Sequence, residues 1–212
     1  MKLTFLVLTM GMSTSLLAQT SVTVPDLSKV KDPELWVLHN RDLTIEPDGS
    51  IHLNGKPGDG LLWIKEPPLA NGRIECDIRG KDLQGQSFVG LAFRGENDST
   101  FEAVYFRPFN FRNPERKGHS VQYICHPSHT WFGLREAHPG AYESALDPVP
   151  DPEAWFHATI VLEYPTVEVY VNSASEPALK INSLGQGKAG WIGFWVGNNS
   201  EGDFKNLKFS SE

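Results

Sequence analysis

Arginine, aromatic and amide side chains concentrate in one part of the 212-residue chain, between positions 94 and 135. Aromatic rings stack on the apolar faces of pyranose sugars, while arginine and amide groups hydrogen-bond to sugar hydroxyls. The residue types of this stretch therefore suit a ligand rich in hydroxyl groups.

Strand alternation predicts which of these side chains share a face. In the segment Phe101–Arg107, Val104 and Phe106 have the apolar phase of a buried face, which leaves alternate residues for the opposite, open face. The segments 87–94 and 191–196 alternate in the same way. The predicted open face combines small residues with Tyr, Trp and Arg: Gly90, Ala92, Arg94, Ala103, Tyr105, Arg107, Trp191, Gly193 and Trp195.

The next strand and two long segments add candidates. Gln122 and His126 join the open face if Val121 and Tyr123 point inward; in the opposite register Tyr123 takes their place. The segments 108–118 and 127–152 are long, polar or Pro-rich, and such loops are more often functional than not. They flank this strand, so we expect them to meet over one end or face of the sheet. They contribute the ligand-binding candidates Asn110, Trp131, Arg135 and Glu143.

Each of these residues also has a purely structural interpretation. Aromatic residues on strands commonly serve packing, and Arg94 or Arg107 could pair with Glu102 or Glu75 at the sheet surface. The functional interpretation depends on convergence, because three strands and two loops direct polar and aromatic groups toward one face.

Catalysis would require further groups. Glycoside hydrolysis uses two carboxyls, and Glu102 is the predicted catalytic residue, with Glu136 and Glu143 as further acids in the long loop. Glu102 alternates with Val104, so it must lie at the strand edge to reach the open face. A polysaccharide lyase would instead use a Tyr or His base beside Arg or Gln. For a metal, His126 and His129 have ligand-like spacing but no evident third ligand, so no metal site is predicted.

The elements that position these residues are strands. Period-two alternation recurs between Gly, Pro, Asn and Asp turns, whereas no window shows a sustained helical period. Eleven strands in one domain favour two packed sheets. The predicted strands are Leu43–Glu46, Ser50–Leu53, Gly60–Ile64, Gly72–Arg79, Ser87–Arg94, Phe101–Arg107, His119–Cys125, Trp155–Glu163, Thr166–Asn172, Trp191–Val196 and Gly202–Phe209.

Composition excludes several classes of protein. The chain has 19 Lys and Arg against 26 Asp and Glu, a formal net charge of −7, so a general nucleic-acid binder is disfavoured. With 40% hydrophobic residues it is not a polytopic membrane protein. Cys76 and Cys125 both lie on the apolar phase of strands, which favours free buried thiols over a disulfide.

The N-terminus is typical of an export signal. A lysine, an apolar run and small residues up to Ala18 predict a secretory signal peptide over residues 1–18. The apolar run is shorter than the roughly 20 residues that span a bilayer. We therefore expect a secreted or periplasmic protein without a membrane span, with an extension over residues 19–34 and one β-sandwich domain over 35–212.

A family resemblance appears in the C-terminal half. The runs 155–161, 167–172, 190–197 and 203–207 resemble concanavalin A-like lectin/glucanase jelly rolls, in the laminin-G-like and 3-keto-disaccharide hydrolase-like (domain of unknown function 1080) branches. The stretch 101–112, with 121–123, resembles their central strands. The resemblance covers about residues 35–209 and implies an all-β, two-sheet antiparallel jelly-roll sandwich whose concave sheet binds sugar. It also allows a calcium ion, for which Asp203 is the first candidate, although no cofactor is required.

These observations predict a secreted carbohydrate-active protein that acts on a glycan or glycoside at the concave sheet. The predicted activity is glycoside hydrolase-like, of a 3-keto-glycoside-cleaving type, or that of a polysaccharide lyase. The superfamily's Glu-x-Asp-x-x-Glu glucanase pattern is absent, because Glu75-Cys76-Asp77 continues without a third acid. The alternatives are a non-catalytic, lectin-like binding module and a structural or protein-interaction domain. The expected partner is an oligo- or polysaccharide and not nucleic acid; the sequence leaves the oligomeric state open.

Overall fold

The computed structural model describes residues 21–211, and the predicted signal peptide lies outside the described residues. Fifteen strands dominate the fold. They are β1 (Val22–Thr23), β2 (Trp36–His39), β3 (Leu43–Ile45), β4 (Ile51–Leu53), β5 (Gly60–Leu69), β6 (Gly72–Arg79), β7 (Val89–Asn97), β8 (Thr100–Phe106), β9 (Val121–His126), β10 (Glu143–Ser144), β11 (Phe156–Glu163), β12 (Thr166–Val171), β13 (Leu179–Asn182), β14 (Gly190–Val196) and β15 (Gly202–Ser211).

The strands form two antiparallel sheets. The back sheet has eight strands in the order β13-β12-β11-β6-β15-β4-β3, with β1 also paired to β15. The front sheet has seven strands in the order β10-β9-β8-β7-β14-β5-β2. The all-β, two-sheet jelly-roll sandwich predicted from the sequence is confirmed.

The core fills the space between the sheets. Phe194 of the front sheet stacks on Phe204 of the back sheet at 4.6 Å between ring centroids, and Phe106 meets Phe156 at 4.9 Å. Burying one such side chain contributes roughly 1.5–3 kcal/mol. Because side chains alternate along a strand, the immediate neighbours Trp195 and Tyr105 must face the outer side of the front sheet.

Most strands begin and end within a few residues of their predicted bounds, and β6 has the same bounds. The prediction missed β1, β2, β10 and β13, which have four residues or fewer. It ended β5 at Ile64, whereas the strand continues through Pro67 and Pro68, residues that usually exclude a central strand. Part of the segment 19–34 also joins the sandwich, since β1 pairs with β15 and Val30 is buried.

One helix, α1 (Trp131–Ala137), lies in the long segment predicted as a loop. Its seven residues are too few to show a helical period in the sequence. The Thr130 side chain caps its start by accepting a hydrogen bond from the backbone N–H of Gly133. Among the residues described, no helix has the length and apolar character needed to cross a bilayer.

Both cysteines are free thiols, as the sequence favoured. Cys76 is fully buried in β6 of the back sheet. Cys125 lies on β9 of the front sheet and is only half-buried, which the prediction did not anticipate.

Candidate functional site

A row of aligned residues crosses the front sheet. Glu143 of β10 pairs with Gln122 of β9, Gln122 with Tyr105 of β8, Tyr105 with Gly90 of β7, and Gly90 with Trp195 of β14. Residues paired in this way have side chains on the same face. Since the core occupies the inner face, the row lies on the outer face of the front sheet, as alternation predicted for Tyr105 and Trp195.

Gly90 lets the two aromatic rings of this row meet. It has no side chain, and the rings of Tyr105 and Trp195 approach to 4.9 Å between centroids on either side of it. A Cβ at Gly90 would lie 2.2 Å from the carbonyl oxygen of Val104 and 2.7 Å from Cβ of Tyr105. Glycine at this position therefore permits a continuous aromatic floor.

Beside this floor lies a buried polar network centred on Arg107. Its guanidinium donates to Tyr105 Oη, to Gln122 Oε1 and, at 3.0 Å, to the carbonyl oxygen of His119. Tyr105 Oη donates to Gln122 Oε1 at 3.0 Å, and Gln122 Nε2 donates to the carbonyl oxygen of Trp131 at 3.1 Å. Burial raises the pKa of Tyr105 to about 12, so its hydroxyl keeps its proton at neutral pH.

The two long segments form the walls above the floor, and they meet over one face as the sequence predicted. Asn110 and Arg116 come from the first segment, Trp131 and Arg135 from the second, and all four line one cavity. Arg135 is held by two hydrogen bonds to Glu143, at 3.0 and 2.6 Å, and lies over the Trp131 ring at 5.3 Å. Trp131 remains 47% exposed at the rim, so part of its side chain is accessible to a ligand.

The cavity has a volume of about 430 Å³. This lies within the usual range for small-ligand pockets, roughly 300–1,000 Å³. Its floor is aromatic, and its rim carries amide, imidazole and guanidinium groups. The arrangement combines an apolar stacking surface with fixed hydrogen-bond donors.

Asp59 and His126 approach each other at the edge of the cavity. Asp59 Oδ2 lies 3.9 Å from His126 Nε2, although β5 and β9 are four positions apart in the front sheet, about 19 Å in a flat sheet. The outer face is therefore concave. Burial raises the pKa of Asp59 and lowers that of His126, so it favours the neutral form of each, while their mutual attraction opposes this.

Arg94, predicted for the open face, does not line this cavity, and neither does Glu102. Glu102 faces the inner side of the front sheet, where it accepts hydrogen bonds from Tyr123 Oη and Ser183 Oγ, both at 2.7 Å, and from Arg94 Nη1 at 3.2 Å. A Cβ on Gly185 would lie 2.2 Å from Glu102 Oε1, so the loop after β13 covers the carboxylate. The predicted catalytic acid is therefore buried and held in an ion pair with Arg94, at the wall of a second cavity of about 400 Å³.

A bulge explains the position of Arg94. The register of β7 shifts against both neighbouring strands after Phe93, and Arg94 has a φ of 48°. An extra residue at a bulge changes the face to which the next side chain points. Simple alternation therefore placed Arg94 on the wrong face.

Another part of the outer face is filled by protein. Trp63 is fully buried there, in contact with Phe101 and Trp191 at 5.8 and 6.1 Å between centroids. Its indole N–H donates to Asp98 Oδ1 at 2.9 Å. Trp191, predicted for the open face, packs here and does not line the cavity around Tyr105 and Trp195.

The structure brings most predicted ligand-binding residues together. Gln122 and Glu143 lie beneath or beside the cavity and hold its lining in place. The sequence reasoning did not select Asp59, Arg116 or His119 for the site. Arg116 could have been selected because it lies in the basic stretch between positions 94 and 135. No feature of the sequence pointed to Asp59, because it comes close to the site only through the strand order of the front sheet, in which β5 lies beside β14. The predicted residues that line the cavity are Tyr105, Arg107, Asn110, His126, Trp131, Arg135 and Trp195.

Asp203 does not offer a calcium site. Its carboxylate is bound to His52 Nδ1 at 2.8 Å and to Arg79 Nε at 3.0 Å, and the guanidinium of Arg79 competes with a metal ion for it. Within residues 21–211, no group of three or more His, Cys, Asp or Glu side chains is arranged to hold a metal.

No family model and no curated protein matches the chain. Solved structures do match its fold. The carbohydrate binding module CBM66 from Bacillus subtilis is 16% identical, with 82% of this chain and 94% of that chain covered and a TM-score of 0.57. The exoplasmic/lumenal domain of VIP36, in its Ca²⁺/Man3GlcNAc-bound form, is 12% identical, with 83% of each chain covered and a TM-score of 0.58.

A protein of unknown function with a galectin-like fold, also from Bacillus subtilis, is 16% identical over 86% of this chain and 90% of that chain, with a TM-score of 0.56. At these identities the likeness shows a shared concanavalin A-like or galectin-like lectin fold, and a fold by itself does not determine function.

Proposed function

We propose that this protein binds carbohydrate in the cavity on the outer face of the front sheet. The observation that carries the proposal is the aromatic floor of Tyr105 and Trp195, with rings 4.9 Å apart, beside the fixed guanidinium of Arg107. A pyranose ring has an apolar face surrounded by hydroxyl groups. The aromatic floor of the cavity matches the apolar face, and the polar groups at the cavity rim match the hydroxyls.

The polar groups of the cavity are held before a ligand arrives. Arg107 has three hydrogen-bonding partners, and Arg135 is fixed by Glu143 and lies over Trp131. Side chains that are already ordered lose little conformational entropy on binding. The names of the structural neighbours agree with this proposal, since one is a carbohydrate binding module and another holds Man3GlcNAc.

The carboxylates favour binding over hydrolysis. Acid–base hydrolysis of a glycoside takes two carboxyls, roughly 5–10 Å apart across the scissile bond. Of the described residues that line the cavity, Asp59 is the one carboxylate. Glu143 is engaged by Arg135, and Glu102 lies on the other face of the sheet. The non-catalytic, lectin-like module is thus the better supported of the sequence-based alternatives.

A catalytic function remains the second candidate because of one observation. Asp59, with its pKa raised by burial, lies beside His126 at the cavity wall, and a carboxyl that holds its proton there has the properties of a general acid. In this cavity a glycoside hydrolase-like activity would have to use this pair, whereas a lyase-like activity would use Tyr105 or His126 as the base beside Arg107. Membership of the 3-keto-disaccharide hydrolase-like or laminin-G-like branch, and export from the cell, likewise stay predictions.

A glycan array with product analysis tests the proposal, and Trp131 and Phe132 supply matched variants. Both side chains are exposed on α1, at 47% and 54%, but only Trp131 lines the cavity. Trp131→Ala should weaken binding of the selected glycan about tenfold through lost stacking, whereas Phe132→Ala should leave affinity unchanged.

Three results decide between the alternatives. Glycan binding that depends on Trp131, without new reducing ends or unsaturated products, supports the binding module. Product formation that Asp59→Asn abolishes supports the catalytic candidate. Failure to bind any glycan would contradict the proposed function, and equal effects of Trp131→Ala and Phe132→Ala would contradict the location of the site.

A further inference from the structure

One side of the cavity carries more positive than negative charge. Arg107, Arg116 and Arg135 line it together with His119, in a chain whose formal net charge is −7. A basic cavity in an acidic protein attracts anions to one place. Nearby carboxylates neutralise these arginines only in part.

Glu143 neutralises part of this charge. It accepts both hydrogen bonds of Arg135, lies 2.8 Å from His119 Nδ1 and 3.9 Å from Arg107 Nη1. Burial raises its pKa, but the hydrogen bonds and charge of Arg135 and His119 outweigh this and hold the pKa below its ordinary value. Glu143 is therefore ionised at neutral pH, and its single charge is shared between Arg135 and Arg107, with His119 also in contact.

Arg116 has no such partner. It forms no ion pair with any described residue, and its Nε is buried without a hydrogen-bonding partner. Its backbone is nevertheless fixed, because its N–H lies 3.0 Å from Asn113 Oδ1 and 3.2 Å from the carbonyl oxygen of Asn113. The turn thus holds an uncompensated, half-buried guanidinium at the cavity wall.

Asp59 does not compensate Arg116. It approaches His126, and the charged groups that act on it are His126, Arg41 and His39. With three arginines against Glu143, this side of the cavity retains an excess of positive charge. A partly desolvated cation without a counterion is unfavourable, so a ligand that supplies negative charge gains more here than a neutral one.

We propose that the saccharide bound in this cavity is anionic, with a carboxylate or sulfate group placed against Arg116 and Arg135 over the aromatic floor. Planar guanidinium groups bind carboxylate and sulfate oxygens through paired hydrogen bonds. The inference rests on the proposed function, because it names the chemical class of the sugar in the same site.

Calorimetric titration of charged saccharides and their neutral forms tests the proposal. The first arm uses hexuronate oligosaccharides and their methyl esters; the second uses sulfated galactan oligosaccharides and the desulfated forms. Each pair keeps the ring and the linkage while removing the charge. If the protein binds only the hexuronate or only the sulfated oligosaccharides, the anionic group that it recognises is identified as a carboxylate or as a sulfate.

The variants are Arg116→Gln and, as a matched control, Arg112→Gln. Arg112 lies on the same segment, is exposed, pairs with Asp151 and does not line the cavity. We expect esterification or desulfation to weaken binding to the native protein about tenfold, the cost of one charge-assisted contact. The same change should have little effect on Arg116→Gln, whereas Arg112→Gln should behave as the native protein.

The outcomes separate this inference from the proposed function. If neutral forms bind as tightly as charged ones, or if loss of charge weakens native and Arg116→Gln proteins equally, the anionic inference is wrong. If Trp131→Ala still weakens the binding of those neutral sugars, the proposed function stands. If no saccharide binds at all, both fail.

Discussion

Two buried arginine networks lie on opposite faces of strand β8, and they have opposite character. On the inner face, Glu102 receives hydrogen bonds from Arg94, Tyr123 and Ser183 and is covered by the loop after β13. On the outer face, Arg107 is bonded to Tyr105 and Gln122 beside an open cavity. Both networks contain an arginine and a tyrosine, so residue types alone do not distinguish them.

The difference lies in what each network leaves free. The inner network gives its carboxylate three hydrogen-bond donors, which is how a buried ion pair is tolerated in a fold, although Arg94 and Glu102 also line a second cavity of about 400 Å³. The outer network orders its members without covering the aromatic surface next to them. Accessible volume adjoins both networks, so a buried charged group indicates a sugar site only where an open aromatic surface also lies beside it.

The largest expected effect comes from breaking the inner network. Glu102→Gln removes the negative charge beside Arg94, which leaves a buried cation unpaired and should lower the free energy of unfolding by about 3 kcal/mol. Chemical denaturation measures this loss. The exposed acid of α1 provides the control, because Glu136→Gln should change stability by less than about 0.5 kcal/mol.

Glycan affinity of the folded Glu102→Gln protein makes the comparison sharper. The inner network does not reach the cavity, so affinity should equal that of the native protein. A loss of affinity without a loss of stability would instead restore Glu102 as a functional residue and remove the distinction between the two faces.

Asp59 is a carboxylate of the outer face, as Glu102 is of the inner face, and its replacement should have the opposite effect on stability. Its pKa is raised above 3.8 by burial, so over the interval from 3.8 to the raised value the folded protein holds a proton that the unfolded chain has released. By linkage, this group makes stability fall as pH rises through that interval. Asp59→Asn removes the effect, so the variant should gain stability relative to the native protein as pH increases.

Denaturation curves across acidic to neutral pH measure the difference between the two proteins. At neutral pH, Asp59→Asn should change the free energy of unfolding by less than Glu102→Gln does, and in the opposite direction. A stability difference that shrinks as pH rises would show that Asp59 is held in a satisfied ion pair like Glu102, against the proposed contrast.

Much of the site followed from period-two alternation in the sequence. Alternation placed Tyr105 and Trp195 on one face because each lies in a regular part of its strand, where the core anchors every second residue, and Arg107 directly follows the end of β8. It failed for Arg94, because a bulge in β7 is invisible in a hydrophobic pattern. Alternation therefore predicted the face of a side chain correctly only where the strand is regular.

Contacts between distant segments could not be predicted. Asp59 lies beside Trp195 and His126 only because β5 pairs with β14 and the sheet curves, and no feature near Asp59 in the sequence encodes that pairing. Helix α1 was missed for a related reason, since seven residues with a glycine among them carry too weak a periodic signal.

Tryptophan indole N–H signals in NMR spectra test the central claim most directly, because the six tryptophans sample different regions of the molecule. Trp131 and Trp195 line the cavity, Trp36 lies in the core, and Trp155 contacts Arg79 and Lys205 of the back sheet. On titration with the selected glycan, the signals of Trp131 and Trp195 should shift together while those of Trp36 and Trp155 stay in place. A shift of Trp155, or none at Trp131 and Trp195, would contradict the location of the sugar on the outer face of the front sheet.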